Sequence, residues 1–88
     1  SALGTAFPNP FNPAVSIPFQ LAESGPGMIK IYNILGQEVV SFDLGGLKTG
    51  KHIYTWQPSR EYHVSSGVFF IRMKTAHGSS AKKIIYLK

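Results

Sequence analysis

Nowhere in this chain do apolar residues recur at i, i+3 and i+4 for the length of a helix. Nine glycines and six prolines break it into short runs, and within the runs apolar and polar residues alternate. Val15, Ile17, Phe19 and Leu21 stand against Ser16, Pro18 and Gln20. Successive side chains of an extended chain point to opposite faces, so this stretch reads as a half-buried strand. Proline cannot donate to a sheet ladder, and Pro18 therefore predicts an edge or a bulge.

The same period continues downstream. Ile29 and Ile31 oppose Lys30 and Tyr32, and Asn33-Ile34-Leu35-Gly36 reads as the closing turn, with Gly supplying the positive φ that tight hairpins need. Gln37 to Asp43 returns with Val39 and Phe42 toward the core, an odd spacing that predicts a bulge. His52, Tyr54 and Trp56 share a face, with Ile53 and Thr55 opposite. Pro58 to Ser66 reads as a polar loop, with Tyr62 and Val64 packed over the core. A last hairpin runs from Ser66 to Lys74, turns over Thr75 to Ser80, and returns through Lys82 to Lys88.

Phe7-Pro8-Asn9-Pro10-Phe11-Asn12-Pro13 has three prolines, each without a backbone donor, and cannot be a central strand. It reads as an extended edge with a turn, pinned by Phe7 and Phe11, with both asparagines free to cap turns. Counting a short strand from Phe7, the chain has about seven strands. That spacing predicts an all-β, Ig-like antiparallel β-sandwich. Residues 7–88 form one small domain, and residues 1–6 are the remnant of a linker. A domain of this size hides only about 60–65% of its unfolded surface.

Composition narrows the chemistry. Without cysteine there is no disulfide, thiol nucleophile or Cys-ligated zinc. Glu23, Glu38, Asp43 and Glu61 are scattered, so no carboxylate pair is expected. His52, His63 and His77 show no metal-ligand spacing, and no Gly-x-Ser-x-Gly elbow exists. No catalytic, cofactor-binding or metal-binding residue is assigned, and the chain is not expected to be an enzyme. A net charge of +5 favours anionic partners, but no basic helix or nucleic-acid module accompanies it. No apolar run is long enough to span a membrane. No signal peptide or initiator Met opens the chain, which reads as a fragment cut from a longer protein with Lys88 as its natural stop. Trp56, Tyr54, Tyr32, Tyr62 and Tyr86 suit a sugar-stacking platform in principle; a single Trp in an alternating strand is more simply a core residue.

Read in order, five stretches resemble a known family. They are Phe7 to Pro13, Lys30 to Val39, Gly50 with Tyr54-Thr55-Trp56, Ser66 to Phe70, and Lys82-Lys83 with its apolar tail. Together they resemble the type A C-terminal sorting domain of the type IX (Por) secretion system of Bacteroidetes. The related flagellar hook-capping Ig-like domain shares much of the pattern. The resemblance implies a non-catalytic signal at the end of a larger secreted cargo protein. The cargo reaches the periplasm by an N-terminal signal peptide and ends at the cell surface or outside. The implied partners are the outer-membrane translocon, a surface sortase that removes the domain, and the fused N-terminal cargo. The cut is expected among residues 1–6.

The family's first motif falls on Pro8, Asn9 and Pro10, its glycine-aromatic motif on Gly67, Val68 and Phe69, with Phe69 where Tyr is common, and its terminal motif on Lys82, Lys83, Ile84, Ile85, Leu87 and Lys88. The expected mechanism has Pro8-Asn9-Pro10 holding a strand-poor edge open for strand addition while the lysines orient an acidic receptor. Open edges also permit a weak homodimer. The alternative is a structural or carbohydrate-binding accessory module of a secreted enzyme.

Overall fold

A computed structural model describes residues 2–58, 66–76 and 78–87. Seven strands form: β1 Ala2–Leu3, β2 Val15–Leu21, β3 Gly27–Tyr32, β4 Glu38–Asp43, β5 Gly50–Trp56, β6 Gly67–Thr75 and β7 Gly78–Tyr86. They build two sheets, ordered β1-β2-β5 and β4-β3-β6-β7, with every pairing antiparallel. The fold is an all-β sandwich, as the alternation requires. Val15, Ile17, Phe19, Leu21 and Trp56 from one sheet meet Ile29, Ile31, Ile71, Met73, Ile84 and Tyr86 from the other in a single buried cluster. Between β4 and β5, Phe42 stacks on Tyr54 with ring centroids 4.7 Å apart.

Pro18 lies within β2, the middle strand, yet breaks no ladder. A residue's N and O face the same side of a strand, and the Pro18 carbonyl accepts from Gly4 N at 2.7 Å. The missing donor therefore faces β1, a strand of only two residues, and the pairing to β5 is untouched.

The strand boundaries and core positions depart from the sequence reading in four places. The first strand is Ala2–Leu3, not Phe7, which makes a single bridge to Ser16 because Pro8 stops the ladder. Residues taken as linker belong to the packing: β1 pairs with β2, and Leu3 and Ala6 are buried. On β4 the fully packed residue is Val40, with Val39 and Phe42 only half-buried against the core. The expected bulge is real and explains the shift, since Ile31 pairs with Val40 and Tyr32 with Glu38, leaving Val39 as the extra residue. The last turn is also tighter than expected. Thr75 pairs with Gly78, so Ser79 and Ser80 are already strand. Tyr62, Val64, His63 and Glu61 lie outside the described residues.

The β3–β4 turn is built by Asn33. Its Oδ1 accepts from Leu35 N at 2.9 Å and Gln37 N at 3.0 Å, and its Nδ2 donates to Gln37 Oε1 at 2.8 Å. Its backbone adds bonds with Gly36 and Gln37 at 3.0 Å each. Gly36 supplies the left-handed residue at φ +82°, which a β-carbon disfavours. Ile34 and Leu35 are left 74% and 79% exposed at the tip.

Candidate recognition site

The N-terminal segment changes sheets. Phe7 exchanges two hydrogen bonds with Ser16 of β2, at 3.0 and 2.8 Å. The chain then leaves β2 through Pro8-Asn9-Pro10 and crosses to the outer edge of β7. There Phe11 N donates to Ile85 O at 2.8 Å, and Leu87 N donates to Phe11 O at 3.0 Å, a parallel bridge. Two residues earlier the Asn9 side chain does the work of a peptide group. Its Oδ1 accepts from Ile85 N at 2.9 Å and its Nδ2 donates to Lys83 O at 3.2 Å. Prolines on either side of Asn9 cost nothing, because the donors needed are the Asn9 amide and the Phe11 N–H.

This arrangement corrects the expectation that Pro8-Asn9-Pro10 holds an edge open. The segment closes the edge of β7 from Lys83 to Leu87. Phe11 is the pin: it is buried, whereas Phe7 is 52% exposed. Asn9 caps a strand edge rather than a turn.

Beneath the segment lies an aromatic cluster. Phe11 stacks on Tyr86 with centroids 5.0 Å apart and tilts against Trp56 at 5.9 Å. Trp56 meets Phe69 edge-on at 5.3 Å. Such pairs contribute about 0.5–1.5 kcal/mol each beyond area burial. Trp56 Nε1 is buried and has no hydrogen-bond partner among the described residues, an orphan donor that this packing has to offset. Gly67, Val68 and Phe69 pair with Tyr86, Ile85 and Ile84 in register. Gly67 sits at φ +151°, where a β-carbon is strained. The three family motifs, far apart in sequence, are thus one structural unit. Pro8-Asn9-Pro10-Phe11 lies on one side of β7, and Gly67-Val68-Phe69 on the other.

Lys82 and Lys83 are both exposed, on opposite faces of β7. Lys83 lies across from Phe70 on the outer face, and Lys82 across from the core residue Ile71. A charge on the inner face of an edge strand discourages strand stacking. Ile84 is buried, Ile85 half-buried and Leu87 53% exposed; Lys88 lies outside the described residues. The hairpin from Gly67 to Leu87 contains Arg72, Lys74, Lys82 and Lys83 and no acidic residue. Elsewhere charge is partly compensated. Lys30 Nζ lies 3.1 Å from Glu38 Oε1, and the hydrogen bond to that carboxylate raises the lysine above its ordinary pKa.

Sequence reasoning missed Tyr86 and the central role of Phe11. Tyr86 was legible as the inward residue two after Ile84, but nothing local joined it to Phe11. The sugar platform does not assemble, because Trp56 and Tyr86 are core and Tyr54 is stacked on Phe42. Tyr62 is outside the described residues. His52 is half-buried, stacked on Phe19 at 5.3 Å and donating from Nε2 to Lys48 O at 2.7 Å. Among the described residues no helix is long and apolar enough to cross a membrane.

No curated protein and no solved structure matches the chain. A family model does, described as a secretion system C-terminal sorting domain and matching residues 5–87. That span takes in the segment crossing from β2, the aromatic cluster and β7 through Leu87, so the chain belongs to the C-terminal sorting domains of type IX secretion, the signals of proteins that end at the cell surface or outside.

Proposed function

We infer that the sorting signal is the folded unit made by Pro8-Asn9-Pro10-Phe11, Gly67-Val68-Phe69 and β7, and that the outer-membrane translocon reads its surface. The observation that carries this reading is the convergence of the three motifs on one strand. Lys82 and Lys83, one on each face of that strand, present its accessible cations to an acidic receptor. The domain acts without catalysis on a cargo fused to its N-terminal side, during transit through the periplasm. Strand addition or self-pairing at the Lys83–Leu87 edge first requires the Asn9–Phe11 segment to leave. Removal by a sortase between residues 1 and 6 requires β1 to separate from β2, and β1 is the shortest strand of the fold.

The test is export of a reporter fused to this chain in a bacterium with type IX secretion. The Lys82→Ala, Lys83→Ala double variant should keep its thermal midpoint, since both side chains are exposed, and should accumulate in the periplasm. Normal export of the folded variant overturns the assignment of the lysines. Deleting Ile84 to Lys88 is a weaker test, because it removes two buried core residues as well.

A further inference from the structure

The β3–β4 turn displays two large aliphatic side chains and holds them still. Five hydrogen bonds to Asn33 and a left-handed Gly36 determine the backbone, yet Ile34 and Leu35 stay mostly exposed. Exposed large apolar residues are unremarkable when scattered and informative when they join a patch. Here they do. Tyr32, Ile34, Phe70, Arg72 and Ala81 line one open depression on the outer face of the four-stranded sheet. Phe70 is 41% exposed within it. Arg72 stands beside Lys30 in the cross-strand row, and Glu38 is engaged by Lys30, so among the described residues no carboxylate pairs with the guanidinium.

We propose that Ile34 and Leu35 form a preorganised knob that enters an apolar, carboxylate-rimmed socket on an outer-membrane protein of the secretion apparatus, while an apolar side chain of that protein fills the depression beside Phe70. The inference rests on the sorting function and adds a second contact, on the sheet face rather than on the β7 edge. A protein occupant fits better than a lipid surface, because a bilayer meets the tip as a plane and cannot reach into the depression. The unmatched Arg72 calls for a carboxylate on the partner, which sets specificity and encounter rate. A rigid knob loses little conformational freedom on docking, the condition under which a few residues dominate an interface.

The full chain fused to a reporter serves as the probe. The Ile34→Ser, Leu35→Ser double variant should keep its thermal midpoint and lose export by about tenfold or more, the effect of one lost contact of hot-spot strength. A photoreactive residue in place of Leu35 should, on illumination of secreting cells, form an adduct with an outer-membrane protein. Arg72→Glu should reduce that adduct about tenfold, and Arg72→Lys should retain it. Normal export of the double variant, or adducts to lipid alone or to nothing, overturns the inference. If that variant exports normally while Lys82→Ala, Lys83→Ala does not, the assignment of the lysines stands and the knob falls. If both export normally, the knob and the assignment of the lysines fall while the sorting function stands; if the unsubstituted fusion itself is not exported, the sorting function falls.

Discussion

Two asparagines do the same chemistry at opposite reach. Asn33 satisfies the amides of residues two and four positions away and shapes a turn. Asn9 satisfies Lys83 O and Ile85 N, 74 and 76 residues away, and ties the N-terminal segment to the last strand. The local asparagine organises a surface feature that can fray alone. The distant one helps hold a junction where the N-terminal segment, β5, β6 and β7 meet. Closing so long a loop is entropically costly, so the contacts at the distant site must be numerous to persist. They are, because hydrogen bonds at the edge coincide with aromatic packing below it.

Three substitutions probe that contrast. The largest effect belongs to Phe11→Ala. It opens a cavity between Trp56 and Tyr86 and should cost about 3–5 kcal/mol, a large share of the stability of a domain this small. Thermal unfolding should show a drop of about 4–8 °C per kcal/mol. A loss under 1 kcal/mol breaks the claim that the junction is a stability centre. Asn9→Ala comes next. Two hydrogen bonds at about 0.5–1.5 kcal/mol each are removed, and amide exchange should quicken at Ile85, at the far end of the sequence. Unchanged protection there means the two ends are not coupled. Asn33→Ala is the smallest, about 1 kcal/mol by analogy with capping side chains. Its exchange changes should stay at Leu35 and Gln37 and leave Ile85 as it was. Spread of the effect to β7 erases the distinction between the two regions.

The difference between the asparagines also explains what was legible. The Asn33 turn, its Gly36, the strand faces of β2 and β3, and the burial of Trp56 all follow from residues within a few positions of one another. The bulge on β4 was legible too, but not which valine it admitted to the core, because Val39 and Val40 are both apolar and only the partner strand chooses between them. Prolines told correctly that residues 7–13 are no central strand. They suggested an open edge, since proline chemistry says what a segment cannot donate and nothing about what a neighbouring asparagine can. The ordered motifs identified the family without showing that they touch.

Period-two alternation and glycine and proline punctuation by themselves determined an all-β sandwich, most of its core faces, and the presence of exposed lysines on the last strand. These are properties of single residues and near neighbours, set by side-chain hydration and backbone sterics. Only the tertiary structure decided that Asn9 and Phe11 seal β7, that three motifs pack as one unit around that strand, and that Ile34 stays exposed beside Phe70 and Arg72. Those outcomes depend on which sheet each segment joins. That choice is made by packing the whole core at once, so no short stretch of sequence carries it.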